Sequence, residues 1–506
     1  MKKILLYSMM MAGLFTASCD LDINEDPDYP SSSDVTPDLV FPSVEVGLAT
    51  AIGSDIYNCT GYFSQYFEQN PSGNQYDKLT YYRFLESDDI INYPYRFMFA
   101  GALPDAAYVI QNSTSASDRF AATVLRAYIF QVAVDLFDKI PYSEATQGQN
   151  IQSPKWDNGE DVYKGVLNEL DEAEADLGTN PDNLVSQDLI FDRNINEWIG
   201  FANALRLRMY LRLHDAGVDA ATYETKIKSL VDADNFMTAD AAVKGWANEV
   251  NKRNPWIEVN MNLNGQNQCM AFPFTSYLQA TNDPRIAYGI VPASNPVYGQ
   301  YAGQIPGGKA QMPNALGANN WKAEHVSAAD YGVATTQPVY FFTLAELSFL
   351  KAEVYHRFYS DDAKAKAAYE EGVRTDFTAR GIGNADTFLA GAAVNWDSNA
   401  DKMYLIGMQK WVALYYMDHM EAWSEIRRTD IPKMSSAKAE DVFDEYFEND
   451  GTVSGYQAGD LISPWTNDMG SGTYVNRIPY PLSAAQYNPN TPDSPAITEK
   501  VWWDKN

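Results

Sequence analysis

Cysteine is scarce in this sequence. It occurs at Cys19, Cys59 and Cys269 in 506 residues, which excludes a fold held together by a framework of disulfide bonds. If Cys19 is modified, as argued below, Cys59 and Cys269 remain. They either pair in an oxidising compartment or stay as two buried thiols, and the sequence leaves both alternatives open.

Positive charge is also in short supply. Lysine and arginine total 37 against 67 aspartates and glutamates, which gives a formal net charge of −30. A chain of this charge is repelled by the phosphate backbone of nucleic acids, and no basic stripe offsets that repulsion. We therefore predict no nucleic-acid partner and interpret the excess of acids as a feature that keeps the protein soluble.

The motifs of the common enzyme classes are missing as well. The sequence has four histidines and contains no H-E-x-x-H, no Walker loop, no dinucleotide-binding glycine fingerprint and no G-x-S-x-G elbow. Glu353 and His356 form a single E-x-x-H, whereas a di-iron bundle uses two with additional glutamates. We predict no catalytic residue, no metal and no cofactor, although a glycosidase carboxylate pair among the many acids stays open.

The start of the chain has the pattern of a lipoprotein signal peptide. Two lysines precede about fourteen mostly apolar residues, a length typical of a signal peptide and shorter than the roughly twenty residues that span a bilayer. Small residues and then Cys19 follow, a loose match to the box in which the cysteine is acylated, with Thr16 where leucine is usual. We predict residues 1–18 as signal peptide, lipid on Cys19 and no later membrane span.

A run of acids follows the cysteine. The D-x-D-x-N spacing that begins at Asp20 resembles an EF-hand calcium loop. Position six of that loop needs glycine and is Glu25 here, and position twelve needs a bidentate glutamate and is Ser31. We therefore predict no calcium site. Residues 19–36 are acidic and rich in Pro and Ser, and they are expected to form a flexible tether that reaches up to roughly 55 Å.

Apolar residues recur at helical spacing in several later segments. Ser117 or Asp118 is the expected N-cap of the first helix, and Arg206, Arg208 and Arg212 are expected to lie off the apolar face of the third. The predicted helices cover Asp118–Lys139, Asp161–Leu177, Asn196–His214, Tyr340–Phe358, Ala363–Thr378 and Lys402–Arg428.

The helices come in pairs. In one pair, Ala365 and Tyr369 repeat the small-then-aromatic step of a tetratricopeptide repeat, in which the small residue lets two helices approach and the ring fills the gap. Between the helical blocks, Gln69–Phe84, Gly245–Trp321 and the chain after Trp396 are rich in Gly, Asn, Pro, Tyr and Trp. Such composition predicts long loops and short strands, where binding groups usually lie.

Aromatic side chains in these polar loops are the positive signal for a function. A flat ring packs on the C–H face of a sugar, and polar neighbours hydrogen-bond to its hydroxyl rim. The alternative for any single ring is that it pins an irregular loop to the scaffold. The predicted ligand-binding residues are Tyr76, Tyr81, Tyr82, Arg83, Trp256, Tyr298, Tyr301 and Trp321.

Several longer stretches carry motifs that occur together in one known family. They are RAYIFQVAVDLFDKIPYSEA (Arg126–Ala145), QPVYFFTLAELSFLKAEVYHR (Gln337–Arg357), QKWVALYYMDHMEAWSEIRRTDIPK (Gln409–Lys433), RIPYPLSAAQYNPN (Arg477–Asn490) and NDPR (Asn282–Arg285). In their order along the chain, and over nearly the whole mature chain, they resemble the SusD/RagB family of outer-membrane nutrient-binding lipoproteins. The start C-D-x-D-x-N-x-D-P is closest to one subgroup of that family.

The resemblance implies a mainly α fold in one domain, residues 37–506. A tetratricopeptide-like scaffold of helical hairpins, mainly residues 97–215 and 337–430, would carry a large irregular, loop-rich half that contains short strands. The shared motifs belong to the scaffold, so no binding residue is transferred from the family. The ligand-binding loops are expected mainly in residues 69–96, 245–336 and parts of 380–506.

The resemblance also implies a role. Such proteins are non-catalytic lipoproteins on the outer face of the outer membrane of Bacteroidota-type bacteria, held there by lipid on the residue that matches Cys19. They bind oligosaccharides and act as the lid of a SusC-like TonB-dependent transporter. Three alternatives stay open, namely the same lid role with an oligopeptide ligand, a surface glycoside hydrolase, and a purely structural tetratricopeptide-type adaptor that binds a partner in a groove and no small ligand.

Overall fold

The structure, a computed structural model, describes residues 35–84, 90–262, 266–317, 320–448 and 455–506. The predicted signal peptide, Cys19 with its predicted lipid, the D-x-D-x-N segment and nearly all of the predicted tether lie outside the described residues.

Helices make up most of the regular structure. Short π-helical turns lie at Ile52–Ile56, Met98–Ala102, Tyr355–Tyr359 and Asp444–Glu448, and 3-10 turns at Gly148–Asn150, Pro284–Ala287 and Ala323–His325. In chain order, the α-helices are α1 Pro37–Ala51, α2 Tyr57–Phe63, α3 Asp77–Thr80, α4 Asn92–Phe97, α5 Leu103–Asn112, α6 Ala116–Phe137, α7 Gly159–Leu177, α8 Ile195–Asp215, α9 Ala220–Ala233, α10 Pro255–Asn262, α11 Phe272–Ala280, α12 Gln311–Leu316, α13 Tyr331–Ala334, α14 Leu344–Val354, α15 Asp362–Ala379, α16 Ala385–Leu389, α17 Lys402–Leu414, α18 His419–Thr429, α19 Ala439–Phe443 and α20 Leu482–Tyr487.

The strands are short and pair in antiparallel fashion. β1, β5, β7 and β6 form one sheet in that order, with Cys269 opposite both Glu68 and Ala328, while β2 pairs with β3 and β4 with β8. The strands are β1 Phe67–Gln69, β2 Ile140–Pro141, β3 Trp156–Asp157, β4 Ala241–Val243, β5 Gln268–Met270, β6 Ile290–Val291, β7 Ala328–Ala329 and β8 Val339–Phe342.

Successive helices pack as hairpins, which confirms the mainly α, tetratricopeptide-like prediction. Helix α6 packs on α7, α8 on α9 and α14 on α15. In the last pair Ala365 and Tyr369 are fully buried, and the Tyr369 ring lies 6.2 Å from the ring of Phe349. A Cβ atom at Gly372 would lie 2.8 Å from the same Phe349 ring. Small residues therefore let α15 approach α14, as the sequence pattern predicts.

Most predicted helices are present, but the longest is two helices. Residues 402–428 divide into α17 and α18 around a turn in which Tyr416 has a φ of 64°. The carboxylate of Asp418 accepts a hydrogen bond from the backbone N–H of Glu421 at 3.0 Å, which caps α18. The prediction of one continuous helix was wrong. The apolar residues keep their helical spacing across the break, so the spacing does not reveal the break that the Asp418 cap imposes.

Two other boundaries also differ from prediction. Residues 339–342 form strand β8 rather than helix, and α14 begins after Thr343, whose hydroxyl accepts from the N–H of Glu346 at 3.1 Å. The N-cap of α6 is Ser115, which accepts from Asp118 N–H at 3.2 Å. The Asp118 carboxylate instead accepts from the hydroxyl of Ser186 at 2.7 Å.

The three arginines of α8 are buried, although they were expected only to lie off its apolar face. Arg208 donates to both oxygens of Glu346 at 2.9 and 2.7 Å. Arg212 lies 2.6 Å from Asp135 and from Glu421. Other elements surround helix α8, so its polar face is not exposed to solvent. Burial of these guanidinium groups is possible because each meets carboxylates from other helices.

Two described helical segments are apolar enough to cross a membrane by length and composition. They are Pro37–Phe63, whose most apolar window is 56% buried, and Ala116–Phe137, whose window is 94% buried. By length and composition, the prediction that no later segment is apolar for long enough to span a bilayer was therefore wrong. Both segments contribute residues to the hydrophobic core, which accounts for their apolar character.

The two described cysteines are unpaired. Cys59 lies in α2 and Cys269 in β5, and both side chains are buried. Burial raises the pKa of each thiol well above its ordinary value. Of the two alternatives that the sequence leaves open, the structure has the pair of buried thiols.

Candidate ligand-binding site

The residues predicted to bind ligand lie in different environments. Tyr76 and Trp256 belong to a buried network, and Tyr298 and Trp321 lie together in a cluster of rings. Tyr301 packs, partly buried, against the main core. The structure thus brings only some of the predicted residues together, and Tyr81, Tyr82 and Arg83 occupy a separate turn described below.

Trp256 is enclosed by protein. Only 2% of its surface is exposed, and its ring lies parallel to that of Phe67 at 5.4 Å. Its indole N–H donates to Asn58 Oδ1 at 3.1 Å, an oxygen that also accepts from Gln268 at 2.8 Å. Tyr76, which is also buried, donates to Asn260 Oδ1 in the same network at 2.9 Å. In this structure neither ring offers a face to a ligand, and both pin loops to the scaffold.

The turn after α3 presents one exposed charge. Tyr82 has a φ of 49° and packs its buried ring 6.1 Å from that of Phe63. Tyr81 is also buried, and the Arg83 guanidinium lies 5.4 Å from the centre of its ring. The Arg83 side chain is 47% exposed and forms an ion pair with Asp468 at 2.5 Å. Within this turn, Arg83 is the group placed to meet a ligand.

A group of contacting rings lies in the loop-rich half. We call it the aromatic-loop cluster and define it as Tyr298, Trp321, Phe447, Phe443 and Trp465. Neighbouring ring centres in that order are 5.5, 5.4, 5.4 and 5.1 Å apart. Trp321 and Phe443 are buried and form the floor, whereas Tyr298, Phe447 and Trp465 are half-buried. The cluster therefore presents partly exposed rings held by a packed base.

Backbone contacts fix the position of Trp465. Its N–H donates to the carbonyl of Pro306 at 2.8 Å, and the N–H of Thr466 donates to the carbonyl of Gly307 at 3.3 Å. Gly307 has a φ of 66°, and a Cβ atom there would lie 2.8 Å from the carbonyl oxygen of Thr466. Only glycine suits both the conformation and the close approach.

Polar groups border the rings. The side-chain amide of Gln311 donates to the hydroxyl of Thr466, while the buried Gln311 Oε1 has no partner among the described residues. Lys309 forms an ion pair with Asp77 at 2.5 Å, and the N–H of Asp468 donates to the carbonyl of Tyr81 at 2.9 Å. The segment that carries Trp465 thus joins the cluster to the turn that carries Arg83.

Two ion pairs lie beside the cluster, Lys309 with Asp77 and Arg83 with Asp468. Beneath them the buried Glu68 accepts from the N–H of Gly307 at 3.3 Å, and burial raises the pKa of its carboxyl to about 8. Burial therefore favours the uncharged form of this carboxyl.

The metal alternatives have no support in the described part of the chain. No group of three or more His, Cys, Asp and Glu there is placed to hold a metal ion. Glu353 of the single E-x-x-H motif instead pairs with Arg428 at 2.6 Å and with Arg357 at 2.5 Å. These contacts give Glu353 a structural partner in the scaffold.

Three clefts of the described surface share no residue with the aromatic-loop cluster. One of about 400 Å³ lies beside Arg119 and Arg126, one of about 410 Å³ beside Tyr95 and Tyr487, and one of about 450 Å³ beside Asp215.

The sequence analysis missed three members of the cluster. Trp465 stands in Ser-Pro-Trp-Thr-Asn, the same Pro- and Asn-flanked context that singled out Trp256. Phe443 and Phe447 are four residues apart, which is the spacing of one helical face. The loop context was therefore a usable signal for Trp465. Nothing in the sequence relates these residues to Tyr298.

Comparison with known proteins identifies the family. Residues 30–446 match the model of a SusD-like family described as starch-binding and associating with the outer membrane. The chain belongs to the SusD/RagB family. No curated protein sequence matches it.

Solved structures of SusD homologues share the fold. A homologue from Bacteroides vulgatus is 21% identical, with a TM-score of 0.73 over 92% of this chain and 97% of that one. A chitin-binding SusD homologue from Flavobacterium johnsoniae is 23% identical, with a TM-score of 0.67 over 93% and 96%. A further chitin-binding protein is 19% identical, with a TM-score of 0.69 over 93% and 100%. At these identities the likeness concerns the fold.

Proposed function

We propose that this SusD/RagB protein is a non-catalytic, cell-surface lipoprotein of the outer membrane that binds oligosaccharides. It would be anchored by lipid on Cys19 and would deliver its ligand to a SusC-like TonB-dependent transporter, for which it acts as a lid. Support comes from the family, described as starch-binding and associating with the outer membrane, and from the chitin-binding neighbours of the same fold.

The observation that carries the proposal is the aromatic-loop cluster. Its several partly exposed rings suit an oligomer, because each sugar that packs on a ring adds a modest contact and several contacts add up to useful affinity. Gln311, Thr466 and Arg83 supply amide, hydroxyl and guanidinium groups that hydrogen-bond sugar hydroxyls.

The test uses the mature chain with Cys19→Ser, so that the protein is soluble. It is applied to a glycan array and then titrated with the oligosaccharides that bind. Trp465→Ala and Tyr298→Ala are each expected to weaken binding about tenfold, which is about 1.4 kcal/mol, while Trp465→Phe keeps most of the affinity because it keeps a ring.

Trp502→Ala is the matched control, because Trp502 is also half-buried and lies outside the cluster. Normal binding by both cluster variants would contradict the site. Competition by mixed peptides but not by glycans would favour the oligopeptide alternative. Turnover of the bound oligosaccharide would favour the glycoside hydrolase.

The partner is tested separately. Affinity-tagged protein with its native Cys19, purified from gently solubilised outer membranes, is expected to bring a TonB-dependent transporter with it. A variant with Cys19→Ala is expected to leave the membrane fraction. Recovery of the tagged protein without any transporter would contradict the lid role and would leave the glycan site standing.

A further inference from the structure

A second cleft lies in a different part of the surface. It has a volume of about 410 Å³, within the range of about 300–1,000 Å³ for small-molecule sites. Helix α4 and the turn after it form one wall, residues 141–154 the second, and helix α20 the third. We call it the Tyr487 cleft. It shares no residue with the aromatic-loop cluster.

Aromatic rings line the Tyr487 cleft. The rings of Tyr95 and Phe99 stack face to face, 4.4 Å apart at an angle of 24°, with Tyr95 buried and Phe99 partly exposed beside it. The Tyr487 side chain on the opposite helix is 79% exposed, an unusual exposure for so large a ring. Rings on facing walls of a cleft give a ligand apolar surface to pack against on two sides.

A buried hydroxyl without a partner lines the same cleft. The N–H of Ser483 donates to Asn92 Oδ1 at 3.1 Å, which ties α20 to α4. Ser483 is only 6% exposed, yet its Oγ has no hydrogen-bond partner in the described part of the chain. An unsatisfied buried hydroxyl costs about 1–3 kcal/mol, so a ligand hydroxyl that reached it would relieve that cost.

Donor groups stand at the rim. Arg96 is exposed and forms no ion pair with any described residue, and Gln152 is exposed beside it in the lining. A guanidinium, an amide and a hydroxyl around paired rings are the groups that recognise a polyhydroxylated ring. A protein partner would fit a flatter surface and would not explain a lone hydroxyl inside a concave site.

We propose that the Tyr487 cleft is a second carbohydrate-binding site. Phe99 and Tyr487 pack against the sugar ring, Ser483 bonds a hydroxyl inside the cleft, and Arg96 and Gln152 bond the rim. The ligand class follows the proposed function, but the site is independent of the aromatic-loop cluster.

The experiment uses the mature Cys19→Ser chain on the same glycan array. Tyr487→Ala and Ser483→Ala are compared with wild type and with Trp465→Ala. At least one glycan signal is expected to fall about tenfold in both Tyr487→Ala and Ser483→Ala and to persist in Trp465→Ala. Tyr487→Phe retains that signal because the ring remains.

Two controls separate binding from folding. Tyr93→Ala removes another exposed tyrosine of α4, one that does not line the cleft, and is expected to leave every signal unchanged. Ser483→Ala is expected to keep or raise the melting temperature, because it removes an unsatisfied hydroxyl. A purely structural role for Ser483 predicts no change in glycan binding.

The outcomes distinguish the two proposals. The second site is overturned if no glycan signal depends on Tyr487, or if Tyr487→Ala lowers only the recovery of a transporter. The aromatic-loop cluster is not the site of the proposed function if no glycan signal depends on Trp465 or Tyr298, whatever the effect of Tyr487→Ala. Absence of any glycan signal from the wild-type protein overturns both.

Discussion

The helical half of the molecule buries a network of several ion pairs, whereas the loop-rich half buries mainly amides and rings, with Arg285 and Asp283 as a buried ion pair of its own. In the helical half, Arg212 and Arg428 are fully enclosed and each bonds carboxylates from other helices at about 2.6 Å. In the loop-rich half, Trp256 and Gln268 share the oxygen of Asn58, and ring contacts supply most of the remaining packing.

This difference has a physical consequence. Removal of one partner from a buried ion pair leaves a charge without compensation, so the scaffold specifies its helix partners strictly. Rings and amides form contacts that other neutral groups can replace at lower cost. The scaffold is therefore the part that fixes geometry, and the loops are the part in which ligand contacts can differ between relatives of the same fold.

The sharpest way to test this comparison is Arg212→Met. The variant leaves the buried Asp135 without its ion pair and Glu421 with Arg208 alone, at 3.4 Å, so we expect the free energy of unfolding to fall by about 5 kcal/mol, the upper end for a broken buried pair. Urea denaturation measures it. Lys164→Met, which removes an exposed pair with Glu160, is the control and should change stability by less than about 0.5 kcal/mol.

The second test lies within the loop-rich half. Trp256→Ala should lower the free energy of unfolding by about 3–4 kcal/mol, because it empties a fully packed site. Trp465→Ala should cost less, because that ring is half-buried, while it weakens glycan binding. If the molecules of Trp256→Ala that stay folded lost glycan affinity as Trp465→Ala does, Trp256 would belong to the binding site after all.

An effect of comparable size, spread over several pH units, is expected from Glu68. Its pKa rises from the ordinary 4.5 to about 8 on folding, so the folded state holds a proton that the unfolded state loses. The contribution is fully present below pH 4.5 and is lost as pH rises through 8, at about 1.4 kcal/mol per pH unit between the two values.

Chemical denaturation of wild type and Glu68→Gln from pH 5 to pH 8.5 isolates this group, because all other titrations cancel in the difference. The wild-type protein should lose stability relative to the variant as pH rises. Parallel curves for the two proteins would show that Glu68 is ionised in the folded state.

The smallest effect is expected from reduction. Because Cys59 and Cys269 are unpaired, dithiothreitol should leave the melting temperature unchanged. A thiol reagent should modify them only after unfolding, since both are buried. In denaturant the Cys19→Ser chain should release two equivalents of thiol product, and a count of zero would show that a disulfide forms.

The sequence predicts the helical half well because periodicity and family motifs are local signals. It fails at Asp418, where the apolar spacing runs through the break and only the cap marks it. It also fails for Arg208 and Arg212, because their carboxylate partners come from helices distant in sequence. Burial of those charges depends on tertiary contacts that no local pattern contains.

The site could be predicted only in part. Tyr298 and Trp321 are close in sequence and meet in space, whereas Phe447 and Trp465 arrive from segments more than a hundred residues further along the chain. Composition identifies aromatic residues in polar loops and does not say which rings are enclosed. Trp256 and Trp465 have similar local sequences and opposite environments for this reason.

Gly307 offers a means of adjusting the proposed binding surface without touching it. The glycine has no side chain to contact a ligand, yet its conformation fixes the backbone beside which Trp465 lies. A larger residue there would displace the segment that carries Trp465 and would move its ring relative to the rest of the aromatic-loop cluster. A substitution at this turn is therefore the way to change the preferred curvature of a bound polymer without replacing any aromatic residue.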